Sequence, residues 1–303
     1  MPPDTAAAVI GSGYSLGTAH EGAENGPFFL RTLSKAHLWG AERPGIVELR
    51  RGRVPLERAV DIGDVVFDGM TLDDAQEALS QVVAALPATA VPAVIGGDHS
   101  VTLPVVRALW KRRQRPFTVV QFDHHLDLQL WDGAPTRDLP RERIFNTNVM
   151  SHVSDLVGPE RLLQIGMAPY TTVEADSADG LDGHLKGVGR QLPLLAPELD
   201  DPDAFRALVG SGSDVYLTVD IDVLDRSVMS STGYPAEVGL GTRDLLRLID
   251  WVLRDNRLVG FDLVEFAAPK DARDATTLGD AGRAVLVFLH LLNRACRQSA
   301  GRA

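Results

Sequence analysis

Short apolar runs recur along the chain, at 6–11 (AAAVIG), 46–50 (IVELR), 91–96 (VPAVIG), 117–122 (FTVVQF), 161–166 (RLLQIG), 214–221 (DVYLTVDI) and 258–265 (LVGFDLVE). Most are continuously apolar rather than alternating, which marks strands buried on both faces of a parallel sheet. Between them, residues 71–86, 101–113, 241–256 and 281–298 repeat their apolar positions with helical period. Thr71 is placed to N-cap the first of these helices, with Asp74 in its first turn, and Thr242 or Asp244 starts the third. Strand–helix alternation along the whole length predicts one doubly wound α/β domain over residues 1–303, with helices on both faces. The irregular stretch 168–204 reads as a long excursion at the sheet edge. In such folds ligands bind beyond the carboxyl ends of the strands, so the ends of the apolar runs are where chemistry is expected.

Three run ends are unusually polar. The run at 91–96 leads into Gly97-Asp98-His99-Ser100, that at 117–122 into Asp123-His124-His125-Leu126-Asp127, and that at 214–219 into Asp220-Ile221-Asp222. If the chain stays extended, Asp123, His125 and Asp127 face one way and His124 the other. Together His99, Asp123, His125, Asp127, Asp220 and Asp222 form a set of four carboxylates and two imidazoles. Clustered carboxylates repel and raise one another's pKa, and divalent cations relieve that repulsion. An oxygen-rich set with no nearby cysteine suits Mn²⁺ better than Zn²⁺, and two such ions would present a hydroxide at neutral pH.

The net charge of −11 makes nucleic acid and anionic membranes poor partners. The single cysteine, Cys296, excludes a disulfide framework. No signal-peptide pattern opens the sequence and no apolar run approaches the ~20 residues of a membrane span, so the expectation is a soluble cytoplasmic protein.

The order and spacing of "GGDHS", "D-x-H-x-D" and "T-x-D-x-D-x-x-D" resemble the ureohydrolase family: arginases, agmatinases, formimidoylglutamases and relatives. "GAENGPFFLR" (22–31), "DIGDV" (61–65), "QIG" (164–166) and "LVEFAAP" (263–269) are similar to further family segments. The resemblance implies a three-layer αβα sandwich on a mainly parallel, about eight-stranded sheet. It implies two Mn²⁺, with Ni²⁺ or Co²⁺ as alternatives. In that pattern Asp123 and Asp220 bridge the ions, His99 and Asp127 complete one sphere, and His125 and Asp222 the other. Asp127 also orients the hydroxide, Glu265 binds the guanidinium and Thr232 lies in the substrate loop. The implied reaction is hydrolysis of a guanidino or formimidoyl C–N bond by a homotrimer or homohexamer acting on a small molecule.

The chain departs from the family at several places. Asn146, or Phe145, stands where arginases and agmatinases have a proton-shuttling histidine; neither is a general acid, and the nearby His152 reads either as a substitute or as a surface histidine on a helix. Ala168-Pro169-Tyr170-Thr171 replaces an arginase segment that meets the α-amino group, so arginine is not the expected substrate. Arg226, Ser230 and Ser231 alter a pocket-lining loop. Asn146 and Trp131 are further candidate substrate contacts, the latter in a loop that also carries Arg137 and Arg143. The competing readings are a formimidoylglutamase-like hydrolase, a deacetylase-type amide hydrolase and a non-catalytic subunit that retains metal.

Overall fold

The apolar runs become strands because their β-branched and small residues pack well on a sheet covered on both sides. The computed structural model describes residues 1–2, 4–34, 46–113, 115–128, 144–170, 185 and 187–300. The strands are β1 (Ala7–Ser12), β2 (Val47–Glu48), β3 (Gly52–Arg53), β4 (Ala59–Asp64), β5 (Val91–Gly96), β6 (Thr118–Phe122), β7 (Leu162–Ile165), β8 (Arg190–Leu192), β9 (Asp214–Asp220) and β10 (Arg257–Val264). The helices are α1 (Gly26–Ser34), α2 (Leu72–Ala84), α3 (Thr102–Arg112), α4 (Val149–Val157), α5 (Pro202–Val209), α6 (Thr242–Val252) and α7 (Ala275–Ala300).

Eight strands form one sheet in the order β4-β1-β5-β10-β9-β6-β7-β8, and every pairing between them is parallel. Consecutive residues of a strand serve opposite layers, as expected from strand geometry. Phe122 and Val120 join a core with Phe29 of α1, Phe205 of α5, Leu248 of α6 and Leu291 of α7. Val119 joins the opposite core with Leu79 of α2, Val105 of α3 and Val153 of α4. The result is the expected αβα sandwich. Leu248 is fully buried, so its truncation to alanine costs about 2–5 kcal/mol.

The Thr71 cap forms as a reciprocal pair: Asp74 N donates to Thr71 Oγ1 at 3.3 Å and Thr71 N to Asp74 Oδ2 at 3.4 Å. For α6 the cap is Gly241, with no side-chain bond. Several expectations need correction. The run at 46–50 contributes only to the small antiparallel β2–β3 pair, not to the main sheet. The outer strands β4 and β8 come instead from less apolar segments, as edge strands can because one side is exposed. The stretch 168–204, read as irregular, contains β8 and the start of α5, and α7 begins at Ala275 rather than 281. By length and hydropathy α7 resembles a membrane span, yet Ala284, Val287, Leu291 and Leu292 pack into the core. Trp131, Arg137, Arg143 and Thr171 lie outside the described residues.

Candidate metal centre and its surroundings

Four adjacent strands, β5, β10, β9 and β6, end at the same place, and each delivers part of the polar set. Beyond β5 the chain must turn against a neighbouring loop, and Gly97 permits it: a Cβ there would lie 1.9 Å from Tyr14 O. Asp98 then caps a short 3₁₀ turn by accepting from Ser100 N at 2.9 Å, which turns His99 inward. Beyond β9, Asp220 accepts from Asp222 N at 2.9 Å, which opens the next 3₁₀ turn and fixes Asp222.

His99 Nδ1 faces three carboxylate oxygens: Asp123 Oδ2 at 3.1 Å, Asp127 Oδ2 at 2.9 Å and Asp220 Oδ2 at 3.1 Å. His125 Nδ1 lies 3.0 Å from Asp222 Oδ2 and 3.6 Å from Asp123 Oδ1. Two three-residue groups therefore meet the spacing of metal ligands, His99-Asp123-Asp220 and Asp123-His125-Asp222. Asp123 belongs to both and offers one oxygen to each. Asp127 adjoins the first. Asp220 presents Oδ2 to the His99 group, while its Oδ1 accepts from Asp222 N and so sits beside the second group.

The sequence expectation placed Asp123, His125 and Asp127 on one face of an extended strand. In fact β6 stops at Phe122. His125 N bonds back to Asp123 Oδ1 at 2.6 Å, and Asp127 adopts φ 50°. The three side chains converge through a turn rather than through the pleat. His124 joins neither ligand group; its ring packs edge-on to His125 with centroids 5.2 Å apart, and burial together with His125 lowers its pKa.

The fit to divalent cations can be judged from His99. Its Nδ1 is buried without a hydrogen-bond partner. Its Nε2 contacts Thr218 Oγ1 at 2.9 Å, Thr218 contacts Thr102 Oγ1 at 3.1 Å, and Thr102 donates to Asp262 Oδ2 at 2.9 Å. Tyr216 OH donates to the same oxygen at 2.5 Å. Asp262 Oδ2 accepts from both hydroxyls, which sets the direction of the chain: Thr218 donates to Thr102 and accepts from His99 Nε2–H, which leaves Nδ1 turned toward the carboxylates. A metal-binding histidine needs this arrangement.

Without cations the cluster must hold protons instead. Burial drives Asp220 and Asp222 up, reinforced by neighbouring carboxylates, and raises Asp127 to about 6. Burial opposes the charged imidazole of His125, yet bonds to Asp123 and Asp222 carry it to about 12. The donors are buried carboxylate oxygens, the buried imidazole of His99 and the part-exposed imidazole of His125, with no sulfur, which fits Mn²⁺-type ions.

Glu265 follows β10 and adopts φ 63°, in the left-handed region. Its amide bonds to Gly97 O at 2.8 Å, and its Oε1 accepts from His99 N at 2.8 Å and Asn146 Nδ2 at 3.2 Å. Burial, then Asp98, pushes its carboxyl up to about 8. A cationic partner would reverse that shift. Asn146 therefore does reach the site. Thr232 pairs through its backbone with Phe266, and its Oγ1 is buried without a partner. His152 lies on α4, half-buried, with an interaction of its own.

Sequence reasoning missed several neighbours. Asp280 Oδ2 receives Ser230 N, Ser230 Oγ, Ser231 N and Ser231 Oγ at 2.9–3.0 Å, which moors the altered loop to α7. His20 packs on Tyr234 at 4.3 Å, and Tyr234 lies 5.9 Å from His125. The main-chain N–H of Gly17 donates to Asp98 Oδ2 and its carbonyl accepts from Asn146 N, tying the segment that follows β1 to the same centre. Asp262, behind His99, was also missed, although it stands out as a charge in the middle of the apolar run 258–265.

The sequence model of the Arginase family matches residues 5–289. The chain is 32% identical to proclavaminate amidinohydrolase of Streptomyces clavuligerus, covering 89% of this chain and 83% of that protein. The solved structure of that protein superposes with a TM-score of 0.75 at 27% identity, covering 96% and 92% of the two chains. The N(1)-aminopropylagmatine ureohydrolase of Thermococcus kodakarensis is 33% identical over 69% of this chain and 66% of its own length. The fold is also shared with formiminoglutamase of Trypanosoma cruzi, solved with Mn²⁺, at a TM-score of 0.75, 20% identity and coverage of 97% and 95%.

Proposed function

Because the chain belongs to the arginase family, we propose that it is a single-domain, Mn²⁺-dependent hydrolase that cleaves a C–N bond of a small guanidino or formimidoyl compound other than arginine. The observation that carries this reading is the pair of three-ligand groups sharing Asp123, with the buried Glu265 carboxyl bonded to the amide of ligand His99. His99, Asp123, Asp127 and Asp220 would hold one ion, and Asp123, His125, Asp220 and Asp222 the other. When bound, the ions supply a hydroxide nucleophile at neutral pH and a Lewis acid.

The chain's own residues supply recognition and orientation. Glu265 is a carboxylate acceptor for the planar guanidinium, a charge-assisted contact. Asn146 holds Glu265 Oε1, and Thr232 offers an unused hydroxyl on the loop that carries Gly233 past Glu265 Oε2. Asp127 orients the attacking oxygen. Water adds to the central carbon, the tetrahedral adduct collapses, and the bond to the substrate tail breaks. The two protons of water end on the departing amine and its oxygen becomes the urea carbonyl, so the substrate's positive charge leaves as an ammonium. His152 is the candidate proton donor. The departures at Ala168-Pro169-Tyr170 and Ser230-Ser231 support a tail unlike that of arginine. Trp131 is a further candidate contact. A cytoplasmic homotrimer or homohexamer completes the reading.

The test is metal analysis of the purified protein, combined with assays of urea, ammonia and formamide release over a panel of guanidino and formimidoyl compounds. Two Mn²⁺ per chain with turnover is expected. One Zn²⁺ with amide deacetylation, or bound metal with no turnover across the panel, overturns the proposal.

A further inference from the structure

A cavity of about 260 Å³ lies at the amino ends of β1, β5 and β10, the opposite edge of the sheet from the metal centre. Arg257 and Glu265 bracket β10, so about 25 Å of strand separates the two places. The cavity floor is apolar, formed by Val91, Leu258 and Val259, and its walls carry Arg58, Arg113 and Arg257.

The charge balance there is uneven. Asp214 is shared by two guanidiniums: Arg257 Nε donates to it at 2.6 Å, and both Arg257 Nη2 and Arg113 Nη2 contact its other oxygen. Burial alone would raise the Asp214 pKa, but the bonds from Arg257 and Arg113 lower it, so it is firmly anionic. One carboxylate between two arginines leaves one positive charge. Arg58 adds a second and has no side-chain hydrogen bond or ion pair among the described residues. Arg113 Nε is a buried donor with no acceptor. Asp4, on the rim, offsets one charge and leaves a net positive cavity in a protein of net charge −11. Next door, Arg112 is already committed to the carbonyls of Val83, Leu86 and Ala90, so it caps chain ends and does not neutralise the surplus.

Arginines at helix C-termini often serve only to satisfy carbonyls, and that account suffices for Arg112. It does not explain an unpaired guanidinium lining a cavity beside a second arginine whose Nε–H is buried without an acceptor. We propose that this cavity is a second binding site, for a small anion with a phosphate or carboxylate group, gripped by the guanidiniums of Arg58 and Arg113 with Arg257 behind them. The site stands apart from the hydrolytic centre and does not depend on the substrate assigned to it.

The experiment is thermal unfolding of the full-length, metal-loaded protein with inorganic phosphate or with succinate, each compared with sodium chloride at matched ionic strength. One of the two anions raises Tm by about 2–4 °C at saturation, and which one does so identifies the head group. Arg58→Gln, with its ligand-free Tm and turnover unchanged, abolishes the rise. Calorimetric titration of the unsubstituted protein, which needs no variant, gives one anion per chain. No rise above chloride with either anion, or an equal rise in Arg58→Gln, overturns the proposal.

Discussion

The backbone amide of His99 donates to Glu265 Oε1 at 2.8 Å, so a residue of the metal centre and the carboxylate assigned to the guanidinium are fixed to each other. Glu265→Gln keeps an oxygen for that amide and removes the charge. It is expected to lower kcat/KM by roughly 10²- to 10³-fold, as for a buried charge pair losing one partner, with metal content unchanged. Steady-state kinetics beside elemental analysis checks both halves.

Asp123 is the one residue common to both ligand groups. Asp123→Ala should therefore strip both ions and abolish turnover, whereas His124→Ala should retain them. Mass spectrometric metal counts on the two variants decide the matter; full metal in Asp123→Ala would refute the assignment.

Asp262 touches no candidate ligand, yet it ends the chain that runs through Thr102 and Thr218 to His99 Nε2. Asp262→Asn should weaken metal affinity by about 10- to 100-fold. Competition with a metal-binding dye gives the affinity, and circular dichroism should show the fold intact.

In the metal-free protein the carboxyls of Asp127 and Glu265 are raised to about 6 and about 8, chiefly by burial. A raised acid favours folding while protonated: its contribution is complete below about pH 4 and is lost as pH climbs through those values. The raised imidazole of His125 acts in the same sense above about pH 6.5. The lowered Asp123 opposes them only in acid. Chelator-treated protein should therefore lose Tm between pH 5 and pH 9, and added metal should restore more of it at pH 9 than at pH 5. A flat profile without metal would contradict the cluster as described.

Asp280 holds four donors of the Ser230-Ser231 segment, and Arg283 anchors its other oxygen at 2.8 Å. Asp280→Asn should destabilise the protein by about 1–3 kcal/mol and raise KM several-fold, because Thr232 and Gly233 lose their mooring. Urea unfolding and substrate titration measure the two effects.

The ligand residues were legible because each follows an apolar run, and parallel strands deliver their ends to one edge. Local geometry was not: the pleat argument for Asp123, His125 and Asp127 assumed an extended chain, while the backbone turns at Asp127. The partners Asp280 and Tyr234 carry no local signal, since each acts through a contact distant in sequence. The outer strands β4 and β8 escaped notice because strands at the edge of a sheet need less apolar sequence than those at its centre.

Asp127 and Glu265 are the two non-glycine residues with positive φ among the described residues. Such backbone costs of order 1–3 kcal/mol at each position. Glycine at either would relax the chain, so an engineer who ranks sites by conformational strain would choose these two first. The same substitution would remove a carboxylate of the site, so the relaxed variants would lose activity. Here, heat tolerance and catalysis draw on the same two peptide torsions, and selection for one alone would erase the other.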